Sequence, residues 1–424
     1  MSCRIVIVGG SLGGLMAANM LLRQGVDVLI LEKSRDYLDG RGAGIVTHSR
    51  LMTALQACGA TLDETLGVQV HSRVVLNAQG DAIASDAYRQ ILTSWSRLYR
   101  LLLEQFPKER YVLGADMVKL TQSEASAMVS CADGRKFEAD LVIGADGIRS
   151  QVRALLAPET KPQYAGYVAW RGICDEASLS KKTLSTLFDK FGFGLPEHEQ
   201  MLGYPVAGPN NNTDIGKRCY NFVWYRPAVG EALTELLTDD DGKTYEGGIP
   251  PHKVRWRAIA EVRESAQRLL APQFAEILQK TAQPFLQPIF DLQSHRLTFQ
   301  RVALLGDAGF VARPHVGMGV TKAAEDASAL VHAIKQFGGS PKALSAYEDD
   351  RLVPSTLVVR RGRDLGAYME SQGREIQANQ LAITRSAHKV MMETAIDLAP
   401  NAQTSVQQVP LTQNLSPKMP ASQT

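Results

Sequence analysis

Apolar residues change period twice within the first thirty or so positions. "RIVIV", Arg4–Val8, is a β-branched run bounded by glycine, as in a parallel strand buried on both faces. Leu12, Leu15, Met16, Met20 and Leu22 then recur at helical spacing until Gly25, and residues 26–31 form a second apolar run that ends at Glu32. Strand, helix and strand in this order predict a βαβ unit. Two later segments begin in the same way. "DLVIGADGIRSQVR", residues 140–153, runs from a buried strand into a turn with Asp146 and Gly147, then a helix carrying Arg149 and Arg153. "VALLGDAGFVARPHVGMGVTKAAEDASALVHAI" begins as a strand at Val302, turns at Gly306 and Asp307, passes Pro314 and enters a helix through Gly317 and Gly319.

Between these segments the texture differs. Residues 72–98 and 161–290 contain alternating stretches such as "YAGYVAWRGI" and "YNFVWYRPAV", with an aromatic at every second or third position, which predict an antiparallel sheet. From 341 to 398 the pattern is helical. The last 26 residues, 399–424, are rich in Pro, Gln, Ser and Thr with almost no core-forming content, and are expected to be disordered. No internal repeat is visible.

Composition narrows the function classes. With 424 residues, 45% hydrophobic and 21% charged, the chain can bury one large core or two moderate ones. Its 46 basic and 44 acidic residues are mixed along the chain, which argues against a nucleic-acid groove or a basic membrane face. Five cysteines, Cys3, Cys58, Cys131, Cys174 and Cys219, show neither a C-x-x-C pair nor metal-ligand spacing, so free thiols and no bound metal are expected. The first strand starts too early for a signal peptide, and no apolar run approaches the roughly 18 residues of a membrane span, so a cytoplasmic protein is expected.

The βαβ unit carries a dinucleotide-binding fingerprint, G-x-G-x-x-G, with one departure: Ser11 stands at the second glycine, between Gly9 and Gly14. The first glycine serves the tight turn and the last the helix–strand packing. The middle position faces a pyrophosphate seated on free N–H groups at the helix N-terminus. Serine is small, and its hydroxyl can donate to a phosphate oxygen. Glu32 stands 18 residues past Gly14, close to the roughly 20 expected of an acid that binds a ribose hydroxyl.

The three segments, in this order and at these separations, resemble the group A flavoprotein aromatic hydroxylases, single-component monooxygenases related to 4-hydroxybenzoate hydroxylase. The resemblance covers about residues 4–360. It implies an α/β fold of α+β two-domain type: a Rossmann-like FAD-binding domain, discontinuous over 1–71, 99–160 and 291–360, and an antiparallel substrate-binding sheet over 72–98 and 161–290. A C-terminal helical segment, 361–398, precedes the tail. It also implies that Gly9, Ser11, Leu12, Gly14, Glu32 and Lys33 take the adenosine half of FAD, that Asp146, Gly147 and Arg149 touch the pyrophosphate and help bind reduced nicotinamide, and that Gly306 and Asp307 hold the ribityl chain. Gly317, Gly319, Val320 and Thr321 then bring a helix N-terminus toward the flavin, where it stabilises charge gained on reduction. The family often has asparagine at the position of Thr321. Arg100 resembles a family arginine under the pyrophosphate. Gly42 and Gly44 occupy a stretch beside the flavin, with Gly42 where the 4-hydroxybenzoate enzyme has arginine, a change that would let the ring swing out more easily.

"GGSLGGL", "YAGYVAWRG" at Tyr164–Gly172 and "RPH" at Arg313–His315 are similar to the branch of 2,6-dihydroxypyridine 3-hydroxylase and its relatives. What this implies is a monooxygenase in which NADPH or NADH reduces FAD, O2 adds to give a C4a-hydroperoxide, and oxygen passes to a ring carbon of a hydroxylated aromatic or N-heteroaromatic substrate, hydroxypyridine-type rings being favoured. The protein must exclude water, orient the ring and help remove its hydroxyl proton. His48, Tyr204, Tyr225 and His315, with Pro314 beside it, are the candidates for that work. A phenolic acid, a polycyclic phenol, an FAD-dependent reductase or dehydrogenase without oxygen transfer, and a non-enzymatic flavin-binding regulator are the alternatives. The motifs expected of a flavin halogenase or a Baeyer–Villiger enzyme are absent from the sequence. No second fingerprint is present, so nicotinamide binds transiently; NADPH against NADH, and monomer against homodimer, stay open.

Overall fold

A computed structural model describes residues 3–38, 44–367 and 386–397. Gly42 and the tail 399–424 lie outside the described residues.

Arg4–Val8 does form a central parallel strand, flanked in register by Asp27–Leu31 (Ile5 opposite Val28) and by Leu141–Gly144 (Ile5 opposite Leu141). Val302–Leu304 and Tyr111–Val112 extend the parallel array on its two sides, and Thr298–Phe299 closes one edge antiparallel. The helices Leu12–Arg23 and Gly319–Phe337 pack together beside this sheet, and their apolar faces merge with it in one core. A small sheet of Met117–Gln122, Ala127–Cys131 and Lys136–Ala139 is attached.

The second sheet has nine strands in the order Phe310–Val311, Phe285–Gln293, Gln163–Asp175, Cys219–Pro227, Gln200–Val206, Lys190–Gly194, Val68–Leu76, Ala82–Ser94, Gly44–Val46. The sequence boundaries shift here. The sheet starts at Val68 rather than 72, because Val68 and Val70 are buried while Gln69 and His71 are exposed, so the alternation continues upstream. Gly44–Val46 joins the edge through backbone pairing with Leu92–Ser94, a contact too short for any period to announce. At the other end, the strand expected to run within 72–98 stops at Ser94, and helix Trp95–Leu103 begins there. One pair, Lys190–Gly194 beside Val68–Leu76, is parallel, so the sheet is mixed.

Helices Lys181–Leu187, Trp256–Leu269 and Pro272–Lys280 cover one face of this sheet. The other face carries Tyr167, Phe191, Phe193, Tyr204, Val223 and Tyr225, packed against Met391 and Ala395 from the C-terminal segment. Helix Pro341–Gly366 then runs back along the molecule, and a short helix, Ala387–Glu393, follows in the last described stretch. No helix of the described residues is long and apolar enough to cross a membrane.

Candidate active site

The carboxyl ends of Arg4–Val8, Asp27–Leu31, Leu141–Gly144 and Val302–Leu304 open on one side of the parallel sheet, where ligands bind in open α/β sheets. There they enclose a cleft of about 360 Å³ that gathers the three sequence motifs: Gly9, Ser11, Leu12, Glu32 and Lys33 from the first, Asp146, Gly147 and Arg149 from the second, Gly306, Asp307, Gly319 and Val320 from the third.

The fingerprint turn is built by close approach. Gly9 has φ +108°, and a Cβ there would lie 2.4 Å from the Ala145 carbonyl oxygen; a Cβ on Gly14 would lie 2.0 Å from the Gly9 oxygen. Gly14 therefore supports the turn from beneath and does not line the cleft. Ser11 begins the Leu12–Arg23 helix with extended backbone, and its hydroxyl makes no capping bond. That hydroxyl and the first N–H groups of the helix remain available to an anion. The Gly10 peptide is held at both ends: its N–H donates to Glu32 Oε2 (2.9 Å), and its carbonyl accepts from the Tyr111 hydroxyl (2.8 Å). Tyr99 backs Tyr111 at 3.2 Å, and Glu32 Oε1 accepts from the Ser34 N–H (2.8 Å). Each carboxylate oxygen of Glu32 keeps a second lone pair for a ribose hydroxyl.

At the second turn, Asp146 accepts from the Ser150 hydroxyl (2.5 Å) and the N–H groups of Gln151 (2.7 Å) and Val152 (3.2 Å), which fixes the start of helix Gln151–Leu156. Burial nevertheless lifts its carboxyl above the ordinary range, against those bonds. Arg153, 3% exposed, donates to the carbonyls of Ile148 (2.5 Å), Thr160 (3.2 Å) and Ala308 (2.8 Å), tying this turn to the Gly306–Ala308 turn. Arg149 reaches the carbonyl of Gly247 in the sheet domain at 2.9 Å.

The third turn rests on buried charges. Lys322, fully buried, donates to the Gly306 carbonyl (3.0 Å) and to Asp326 Oδ2 (3.1 Å), which also accepts from the Gly306 N–H (3.1 Å). Arg351 bridges Asp326 Oδ1 (2.8 Å) and Glu325 (2.9 Å), and Arg50 pairs with Glu325 from the other side. Burial works against the Asp326 carboxylate, but Lys322 and Arg351 hold its carboxyl below the usual value. Asp307 opens onto the cleft, and the surrounding protein raises its carboxyl, with Lys322 opposing.

Beyond this cleft, neutral polar groups gather against the inner face of the nine-stranded sheet. His315, fully buried, bonds through Nε2 to the Tyr167 hydroxyl (2.8 Å) and through Nδ1 to Gln200 Oε1 (2.9 Å), with the Tyr225 ring 4.2 Å away. Burial, aided by Arg313, pulls its pKa down to about 3. His48 bonds through Nδ1 to the Thr321 hydroxyl (2.8 Å), while its Nε2 is buried without a partner among the described residues. Burial is the main cause that lowers His48 to about 4; Asp397 opposes, and Arg50 and Arg73 add to the fall. Tyr204 and Tyr225 are buried, and burial raises both phenols, Tyr204 to about 12.

Several residues expected at the cofactor sit elsewhere. Thr321 is fully buried against His48, so it meets the cleft only through its helix. Gly44 leaves room for the Tyr204 ring, 2.5 Å from where a Cβ would lie, and its N–H donates to Asn221 (3.1 Å). Gly317, in the left-handed region at φ +64°, faces Ala395. Arg100 is exposed and does not line the cleft; Trp95, one turn before Tyr99 on the same helix, does, because five residues carry Arg100 about 140° around the helix from Trp95. Trp95, Tyr99, Tyr111, Lys322 and the Asp326–Arg351 pair escaped sequence reasoning. Only the helical spacing of Lys322 and Asp326, four residues apart, hinted at a pair.

The cleft suits FAD: it offers a carboxylate at the second strand end, an unspent hydroxyl with free N–H groups at one helix start, and a carboxylate beside another. Among known sequences, residues 2–186 match a family described as FAD binding domain and residues 164–291 one described as FAD binding domain-like. The 2,6-dihydroxypyridine 3-monooxygenase of Paenarthrobacter nicotinovorans is 32% identical over 377 residues, which span 87% of this chain and 92% of that protein. The 6-hydroxynicotinate 3-monooxygenase of Pseudomonas fluorescens is 26% identical over 380 residues, 86% of this chain and 91% of that one. The solved structure of 2,6-dihydroxypyridine-3-hydroxylase from Arthrobacter nicotinovorans superposes with a TM-score of 0.82 at 30% identity, covering 90% of this chain and 96% of that one. Motifs, cleft and relatives agree that the chain belongs to the FAD-dependent monooxygenases of the 4-hydroxybenzoate hydroxylase type.

Proposed function

We propose that this enzyme uses NADPH or NADH and O2 to hydroxylate an electron-rich, hydroxylated N-heteroaromatic ring of the hydroxypyridine type. FAD, when bound, takes electrons from the reduced nicotinamide and activates oxygen. Glu32 holds its adenosine ribose, Ser11 and the start of the Leu12–Arg23 helix its pyrophosphate, and Asp307 its ribityl chain. Arg149, at the mouth of the cleft, serves the transient nicotinamide.

The observation that carries the reading is the unpartnered Nε2 of His48. In the tautomer that carries its proton on Nδ1 and donates it to the Thr321 hydroxyl, Nε2 presents a lone pair inside the protein, on a histidine kept neutral at pH 7 by burial. A ring hydroxyl donating there loses electron density from its O–H to the ring, which makes the neighbouring carbon a better nucleophile. His315, Tyr225 and Tyr204 offer hydrogen bonds and aromatic faces that orient the ring. The histidines and tyrosines are neutral, and Arg313 pairs with Asp291 (2.9 Å), Arg50 with Glu325, and Arg73 with backbone carbonyls. Arg171, whose charge acts on Tyr204 and Tyr225, donates to Gln287 (2.7 Å) and has no carboxylate partner among the described residues, so the preference for a hydroxypyridine over a carboxylated ring rests on the hydroxypyridine named for the 32% identical relative.

The test is oxidation of NADPH and of NADH by the FAD-loaded protein, with oxygen uptake, against 2,6-dihydroxypyridine, 6-hydroxynicotinate, salicylate and 4-hydroxybenzoate. Stimulation by the dihydroxypyridine together with a hydroxylated product supports the reading. Stimulation only by the carboxylated rings, or flavin that is reduced with no product from any ring, sinks it.

A further inference from the structure

Arg73 lies on strand Val68–Leu76, is fully buried, and has no carboxylate among its partners in the described residues. A buried cation needs its donors met, and here four of the five N–H donors are met, three of them by a segment from the far end of the chain, while Nε has no partner among the described residues. Nη1 donates to the carbonyls of Met391 (2.7 Å) and Thr394 (2.6 Å), and Nη2 to the carbonyl of Ala395 (2.8 Å) and to Gln90 Oε1 (2.6 Å). The Tyr88 ring lies 4.3 Å from the guanidinium carbon. These carbonyls stand at and just beyond the C-terminus of helix Ala387–Glu393, where backbone acceptors lack helical partners and the negative end of the dipole lies. The sheet arginine is thus the cap of that helix.

The same strap, residues 386–397, reaches both histidines. The Ala395 N–H donates to the His315 carbonyl (2.9 Å). Asp397 accepts from the N–H (2.9 Å) and hydroxyl (2.7 Å) of Ser49, next to His48. Gln200, which holds the His315 ring, also donates to the Thr394 hydroxyl (3.4 Å). Ala395 has φ +51°, a conformation alanine disfavours, and sits against Gly317, where a Cβ would lie 2.7 Å from its own. Met391, 0% exposed, packs among the inward aromatics of the sheet.

We infer that Arg73 is a positioning residue that latches the strap between His48 and His315, so that the strap forms a wall of the hydroxylation chamber and keeps water from the reacting ring. The sealing role rests on the hydroxylase reading above. Where the wall fails, the two electrons of the reduced nicotinamide leave with oxygen as hydrogen peroxide, NAD(P)H + H⁺ + O2 giving NAD(P)⁺ + H2O2, and the ring is left unchanged.

The experiment compares FAD-loaded full-length wild type, Arg73→Met, Arg73→Lys and Ser386→Ala. Amide hydrogen exchange reads the strap, and product and peroxide formed per NAD(P)H, with 2,6-dihydroxypyridine as probe, read the seal. Loss of the guanidinium leaves three buried carbonyls short of a donor, so Arg73→Met should raise exchange across 387–395 at least about tenfold. The Arg4–Val8 amides and the FAD content should be unchanged, and peroxide should replace product. Arg73→Lys should restore part of both. Ser386 caps the strap helix from the exposed side by accepting from the Lys389 N–H at 3.2 Å, so Ser386→Ala decides the matter should Arg73→Met not fold. It should raise exchange about fivefold and move the product-to-peroxide ratio the same way. Unchanged exchange overturns the latch; faster exchange at an unchanged ratio overturns the seal. A wild type that hydroxylates no ring overturns the hydroxylase reading and the seal with it, while exchange still decides the latch.

Discussion

Lys322→Met is the most direct probe of how the third turn is held. The ammonium is wholly buried, 3.0 Å from the Gly306 carbonyl and 3.1 Å from Asp326, so the change leaves a buried carbonyl without its donor and a buried carboxylate with one cation where it had two. Removing one partner of a buried pair costs about 3 to 5 kcal/mol. At about 2.1 cal/mol/K of unfolding entropy per residue, a chain of 424 residues loses about 3 to 6 °C in Tm for that cost. Asp307 follows Gly306 in the same turn, so FAD affinity should fall with stability. Thermal unfolding of the apoprotein and a fluorescence titration with FAD read the two effects. Asp326→Asn and the double variant complete the cycle: because the groups touch, the double variant should lose less than the sum of the two single losses, by about 0.5 to 3 kcal/mol. A Lys322→Met protein that melts within 1 °C of wild type, or losses that simply add, would refute the view that this pair carries the turn.

Other outcomes follow from the same geometry. Tyr111→Phe leaves the Gly10 carbonyl without its hydroxyl donor and should weaken FAD binding by about 1 to 3 kcal/mol, read by equilibrium dialysis, with little change in the circular dichroism of the fold. Gly14→Ala places a Cβ 2.0 Å from the Gly9 oxygen; the protein should be recovered without flavin, and full FAD content would contradict the assigned turn. The folded pKa values of His315 and His48, about 3 and about 4, lie below the unfolded value near 6.5. The unfolded chain therefore takes up protons first, stability falls as pH drops through that window, and each histidine should remove about 2 kcal/mol between pH 7.5 and pH 5. Denaturant titrations at both pH values measure this, and His315→Gln should flatten the dependence. His48→Gln should lower the hydroxylation rate by about 10²- to 10⁴-fold while FAD content stays intact; an unchanged rate across pH 6 to 9 would remove His48 from the proton path.

Much of the cofactor cleft was legible in the chain because its parts are local. A β-branched run, a glycine-bounded turn and a 3.6-residue repeat each occupy a few consecutive positions, and strand ends at Leu31, Gly144 and Leu304 could be read singly before being seen side by side. The cluster of neutral groups around His48 and His315 was less legible. His48 and His315 stood out as residue types near motifs, but what each ring touches comes from positions far away: Thr321 for one, Tyr167 and Gln200 for the other. Gly44, Gly317 and Thr321 show the limit from the other side, since their local pattern suited the cofactor while their packing serves Tyr204, Ala395 and His48.

Sequence by itself determined the fold class, the FAD motifs and the family, because each is written in short-range periodicity and spacing that the backbone must obey wherever the segment lies. Tertiary structure alone decided which carbonyls Arg73 satisfies, which charges surround Lys322, and why one nitrogen of His48 finds no partner among the described residues. Those outcomes depend on burial and on partners up to 322 residues apart, and the cost of an unmet polar group exists only once the chain has folded around it.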